Sequence, residues 1–181
     1  GRQKYPRQNR YKIIARYRGY HGFTYGAMSA TGQTQRRKAF EPLVPGFLLA
    51  HPPYCYRCPF GLNYPDCNVA CADEIERIIQ WEGVETVIGV IAEPIIGGGG
   101  VIIPPDDYLP KLRDICNRYG LLLIFDEVIT GFGRTGALFA CEHWDVQPDI
   151  ISLAKGATSG YLPLGASVVT PAVFDVFRGD P

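Results

Sequence analysis

Two apolar runs in this chain each end in a charged residue. Leu121-Leu122-Leu123-Ile124-Phe125 leads into Asp126, and Ile150-Ile151-Ser152-Leu153-Ala154 leads into Lys155. Both read as buried parallel strands. In open α/β sheets, ligands bind at the carboxyl edge of such strands. A carboxylate and an amine at neighbouring strand ends suit one cofactor chemistry in particular. Pyridoxal phosphate needs a lysine amine for its aldehyde and an acid that keeps its ring nitrogen protonated.

Each of these residues has a competing reading. Asp126-Glu127 after an aliphatic strand also fits the acidic element of a P-loop nucleotide hydrolase. That reading requires a G-x-x-x-x-G-K-[ST] loop. The glycine run Gly97 to Gly100 has no lysine behind it, and Lys155 would be left without a role. Lys155 itself could be a surface lysine at a strand end, and spacing alone leaves that open. Its apolar approach and the small residues Gly156-Ala157-Thr158-Ser159-Gly160 after it favour a desolvated amine. Desolvation depresses a lysine pKa and frees the nucleophile. Tyr20-His21-Gly22 follows another strand, so an aromatic ring and an imidazole lie at the sheet edge, where packing and hydrogen bonding are the ordinary roles. Glu93-Pro94 brings a further carboxylate to that edge. Cys55, Cys58, Cys67 and Cys71 form C-x2-C-x8-C-x3-C. Four thiolates at such spacing can bind zinc tetrahedrally; the alternative is a set of reduced cysteines packing a Tyr/Pro-rich loop.

The elements that must carry these residues alternate between strand and helix. This pattern argues for an α/β fold, a mostly parallel sheet with flanking helices. Lys12 to Tyr17 reads as a strand, Thr24 to Ala30 as a small-residue helix, and Phe47 to Ala50 as a strand inside an irregular stretch. Asp73 is the expected cap of a helix with Ile75, Ile78 and Ile79 on one face, stopped near Gly83. Thr86 to Ala92 is a strand. Asp106 or Asp107 caps the next helix, whose face is Leu109, Leu112, Ile115, Cys116 and Tyr119, and Gly120 ends it. A last strand is expected over Gly165 to Thr170, followed by an amphipathic piece from Ala172 to Phe177.

Composition excludes several function classes. In 181 residues, 18 Lys plus Arg balance 18 Asp plus Glu. Zero net charge gives no footprint for nucleic acid or an anionic membrane surface. No apolar run approaches the roughly 18 residues of a membrane span, and Gly1 to Pro6 holds no signal-peptide core. A soluble cytoplasmic protein with reduced cysteines is expected. The chain has no initiator Met and stops at Arg178-Gly179-Asp180-Pro181, which reads as a piece of a larger enzyme.

Seven segments taken in order resemble the class III pyridoxal-phosphate aminotransferases, the omega-amino-acid transaminase group of fold type I. They are Tyr20-His21-Gly22, Ala92-Glu93-Pro94, Phe125-Asp126-Glu127-Val128, Gly131-Phe132-Gly133-Arg134-Thr135-Gly136, Pro148-Asp149-Ile150, Lys155 and Leu162-Pro163-Leu164-Gly165-Ala166. Tyr54-Cys55-Tyr56-Arg57-Cys58-Pro59 resembles a branch of the same family. The resemblance implies that Lys155 forms the internal aldimine with pyridoxal 5'-phosphate and shuttles a proton between substrate Cα and cofactor C4′. It implies that Asp126 pairs with the pyridinium nitrogen and that Val128 and Tyr20 cover opposite ring faces. His21 would support the cofactor, Glu93 would face the site, and Arg134 would order the turn that carries Val128. An amino donor and a keto acid would react in turn, in a ping-pong cycle, on a homodimer. Aminomutase or decarboxylase chemistry on the same residues, or a non-catalytic zinc-binding module on the same fold, are the competing functions.

Family members are more than twice this length, so residues 1–181 would be the central part of the cofactor-binding large domain. The phosphate-binding turn and the C-terminal small domain would lie outside the chain, and the isolated piece is expected to be inactive. Some relatives carry a glutamate in the glycine run and a glutamine after the Val128 position. Gly98 and Ile129 stand there in this chain, which points away from the 4-aminobutyrate branch and leaves the substrate open.

Overall fold

The computed structural model of the chain describes residues 9–178. Residues 1–8 and 179–181, the ends read above as cut, lie outside the described residues. The strands are β1 (Lys12–Arg16), β2 (Phe47–Ala50), β3 (Val87–Ala92), β4 (Leu122–Asp126), β5 (Ile150–Leu153) and β6 (Ala166–Val169). They form one six-stranded sheet in the order β2-β1-β3-β4-β5-β6. The first five are parallel, and β6 returns antiparallel to β5. The helices are α1 (Tyr25–Ala30), α2 (Thr34–Arg37), α3 (Ala70–Glu82), α4 (Tyr108–Tyr119) and α5 (Pro171–Phe174). The sheet is thus mostly parallel with flanking helices, as the pattern required.

Helical spacing decides how α3 and α4 pack. Ala72, Ile75 and Ile79 of α3 are fully buried, as are Leu109, Leu112, Ile115 and Cys116 of α4. They meet Ile14, Val90, Ala92, Leu123 and Phe125 from alternate positions of β1, β3 and β4 in one cluster. Each fully buried Leu or Ile contributes about 1.5–3 kcal/mol through area removed from water. Between these residues Ile13, Ile91, Leu122 and Ile124 are only half-buried. Within this chain α3 and α4 therefore cover one face of the sheet fully.

Helix ends depart from the sequence reading in two places. Helix α3 begins three residues before Asp73, with Val69 as N-cap in a left-handed conformation (φ 57°). Asp73 lies in its first turn and pairs with Lys111 of α4 at 2.7 Å. Asp107 is the N-cap of α4 but makes no side-chain capping bond; its carboxylate accepts from the Tyr64 hydroxyl at 2.9 Å. Both carboxylates are used in tertiary contacts instead of capping. Gly120 ends α4 with φ 61°, the left-handed geometry glycine adopts without strain.

The core assignment has a direct test. Leu112→Ala should lower unfolding free energy by about 2–5 kcal/mol through lost transfer energy and the cavity left behind. Trp81→Ala, at a residue 80% exposed, should stay within about 0.5 kcal/mol. Urea unfolding of the two variants checks the contrast; equal effects would contradict the packing described.

Candidate active site

The carboxyl ends of β1, β3, β4 and β5 bring the site together. Asp126 is the last residue of β4, and its residue exposure is only 7%. A carboxylate removed from water needs hydrogen-bond donors. One oxygen, Oδ1, accepts from the Val128 amide at 3.1 Å. The other, Oδ2, lies 2.8 Å from Nδ1 of His21, which donates when its proton is on that nitrogen. The turn after β1 delivers His21, whose own amide donates to Thr31 Oγ1 at 3.0 Å. The His21 side chain is nearly fully buried, and its Nε2 has no partner.

Glu93 follows β3 and is also buried. Its two oxygens accept from two backbone amides, Tyr20 at 3.0 Å and Gly97 at 2.9 Å. Glu93 therefore ties the Tyr20 turn to the glycine run. Gly97 has little spare room: an added Cβ would come within 3.0 Å of Ile129 Cδ1. The half-buried Tyr20 ring meets Phe23 edge-on at 5.5 Å between centroids, and the Arg36 guanidinium lies 4.9 Å from its centre.

These residues line one cavity of about 80 Å³, together with Gly22, Val128, Ile129 and Lys155. The structure thus brings together all six residues singled out from the sequence: Tyr20, His21, Glu93, Asp126, Val128 and Lys155. A wider cleft of about 530 Å³ shares Ile129 and Lys155 and reaches Phe132 and Arg134. Lys155 itself is exposed, which corrects the expectation of a desolvated amine. It follows β5 with a left-handed backbone (φ 46°), uncommon for a residue with a side chain. Among the described residues its amine has no hydrogen bond or ion pair. The turn after β5 therefore presents a free amine at the mouth of the cavity, while Asp126 sits inside it.

Two further outcomes differ from the sequence reading. Arg134 is exposed and bonds to no described residue, so it does not order the Val128 turn. Glu127, which had no role assigned, does so. It is fully buried and accepts from the Thr130 hydroxyl, the Ala140 amide at 3.0 Å and the Cys141 amide at 2.8 Å. Its own amide donates to Ser152 of β5 at 3.0 Å. An acidic residue directly after a strand-end aspartate is a weak signal, because two of its three donors are 13 and 14 residues away. Cys55, Cys58, Cys67 and Cys71 do line one small cavity, of about 20 Å³. Among the described residues, however, no three His, Cys, Asp or Glu side chains are placed to hold a metal ion. Burial and the neighbouring Cys55 push the Cys71 thiol up to about 12, so it is protonated at neutral pH.

With this geometry in place, comparison with known proteins decides the family. The family model described as Aminotransferase class-III matches residues 1–180. The chain belongs to the class III aminotransferases. It is 55% identical over 172 residues to an uncharacterized aminotransferase, YhxA, of Bacillus subtilis (strain 168), covering 95% of this chain and 37% of that protein. A Bacillus anthracis aminotransferase structure superposes with a TM-score of 0.93 at 48% identity, covering 99% of this chain and 41% of that one. An amine transaminase structure from an uncultivated Pseudomonas species, in the PLP-bound (internal aldimine) form, superposes with a TM-score of 0.93 at 39% identity. It covers 98% of this chain and 41% of that one. This class III chain therefore spans well under half the length of these relatives.

The role of Glu127 can be measured separately from any chemistry. Glu127→Gln keeps the shape but turns an NH2 group toward donors, and should cost about 1.5–3 kcal/mol of stability. Hydrogen exchange in native protein should accelerate at the Ala140 and Cys141 amides. Unchanged exchange at those amides would contradict the assignment.

Proposed function

We propose that the full-length protein containing this chain is a pyridoxal-phosphate-dependent aminotransferase. It would move an amino group from an amino acid or amine to a keto acid in a ping-pong cycle. One observation carries the reading: buried Asp126, held by His21, shares a cavity with the free amine of Lys155. The donor set fits the cofactor. Asp126 offers a carboxylate whose nearest partners are an imidazole and an amide, with no Lys or Arg among the described residues bound to it. The cavity walls are an aromatic ring and aliphatic side chains, Tyr20, Val128 and Ile129, suited to a flat heteroaromatic ring. When bound, pyridoxal phosphate supplies an aldehyde carbon and a protonated ring that draws off electrons.

The roles follow from position. Asp126 would accept the ring N–H and so keep the ring protonated, a charge-assisted contact. His21 occupies the other side of that carboxylate and fixes its orientation. Tyr20 and Val128 would cover the two ring faces, and Glu93 fixes Tyr20 by its amide. Lys155 would hold the cofactor through its Nζ, condensing with the aldehyde and releasing water, and once freed by a donor amine the same Nζ would be the base for the donor's Cα proton.

The chain would form the central part of the large domain, with the phosphate grip and the small domain supplied by the rest of the protein. A homodimer is the proposed assembly. Tyr161, Leu162 and Leu164, each at least half exposed, are an apolar surface that the rest of the protein or a second copy would cover. No helix among the described residues is long and apolar enough to cross a membrane. Six free cysteines suit a reducing cytoplasm.

The reading is tested on full-length protein supplied with an amino donor, pyruvate and pyridoxal phosphate. Alanine and the donor's carbonyl product should form with parallel double-reciprocal plots. Lys155→Ala should reduce turnover by about 100- to 10,000-fold. Carbon dioxide or an isomerised amine as the product, or full activity in Lys155→Ala, would contradict transamination.

A further inference from the structure

Arg16 is the last residue of β1 and is 1% exposed. A guanidinium is charged at every accessible pH, and burying one without a counter-ion is costly. No carboxylate among the described residues pairs with Arg16, and its NH1 is buried without a partner. Its guanidinium lies 5.7 Å from the ring centre of Tyr108, a fully buried residue of α4. Its NH2 donates to the backbone carbonyl of Glu93. An apolar side chain would fill this core position at lower cost, so the guanidinium needs another explanation.

The hydrogen bonds around it supply one. The Arg16 carbonyl accepts from the Gly19 amide at 3.1 Å, which starts the turn toward Tyr20. Gly32 closes on the same carbonyl: an added Cβ there would lie 2.1 Å from it. The Arg16 side chain holds the main chain of Glu93, and the Glu93 carboxylate accepts from the Tyr20 amide at 3.0 Å. Residues 16–20 and Glu93 thus form a closed ring of covalent and hydrogen bonds. Pro94 follows Glu93 and has no N–H, so β3 gives way here to an irregular segment that needs another anchor.

We infer that Arg16 is a positioning residue for the cofactor platform, acting through Glu93 to fix Tyr20. This rests on the pyridoxal phosphate reading above. Arg16 touches none of the reacting groups. It sets the height of the Tyr20 turn relative to the end of β3, and Tyr108 seats its guanidinium.

A double-mutant cycle on full-length protein, read as the dissociation constant for pyridoxal phosphate by absorbance titration, tests this. Arg16→Lys keeps the charge and loses the fork. It should weaken binding by about tenfold in the natural background, but by less than about twofold once Tyr20→Leu has removed the platform. Circular dichroism checks folding. If Arg16→Lys does not fold, Tyr108→Leu, which removes the aromatic seat of the guanidinium together with some core packing, carries the same cycle with the same expectation, because lost packing alone would weaken binding equally in both backgrounds. Binding unchanged by the first substitution, or an equal loss in both backgrounds, would overturn the positioning role. Natural protein that binds no pyridoxal phosphate would instead overturn the functional reading, and this inference with it.

Discussion

Three carboxylates leave water at the carboxyl ends of two neighbouring strands: Glu93 after β3, and Asp126 and Glu127 at the end of β4. None of them has a described lysine or arginine side chain as its ion-pair partner. Each is satisfied by hydrogen-bond donors fixed elsewhere in the fold. Glu93 takes the amides of Tyr20 and Gly97, Asp126 takes His21 and the Val128 amide, and Glu127 takes Thr130 and two amides near residue 140. A buried carboxylate left short of donors costs kilocalories. The loops at this edge are therefore pinned by charge satisfaction, where a surface loop would be free to move.

That constraint links packing to chemistry. The parallel sheet places strand ends side by side, and the α3–α4 layer fixes their depth through Ile14, Val90 and Phe125. The carboxylates then draw the connecting loops down onto those ends. Two of the three, Glu93 and Asp126, line the cavity; both Glu93 oxygens are taken by backbone amides, whereas the described donors of Asp126 are the Val128 amide and His21, which leaves it available to a ligand. Lys155 is treated differently. Its turn holds it in a left-handed conformation, its carbonyl accepting from the Gly160 amide at 3.2 Å, while its amine bonds to no described residue. An acid held by hydrogen bonds and an amine without a described partner are the division of labour that the proposed chemistry needs.

Much of this was legible in the sequence, for identifiable reasons. Aliphatic runs ending in Asp126 and Lys155 marked strand ends, and the i, i+3, i+4 spacing of Leu109, Leu112, Ile115 and Cys116 marked the buried face of α4. Gly120 marked its end. What could not be read was which donors meet which acceptors. His21 and Asp126 are 105 positions apart, and Tyr20 and Glu93 are 73 apart. Local pattern carries no information about such pairs. The same limit explains the errors. Asp73 looked like a cap because its partner Lys111 is remote, and Arg134 looked structural because Glu127's donors were invisible. Lys155 looked desolvated because the apolar run before it says nothing of what covers the turn after it.

The central claim is that Lys155, across the cavity from Asp126, is the amine that takes up the cofactor. Borohydride reduction of full-length protein incubated with pyridoxal phosphate, followed by peptide mapping, tests it most directly. The account predicts one stable phosphopyridoxyl label, on Lys155, absent in Lys155→Ala. A label spread over surface lysines, or one fixed on another residue, would contradict it.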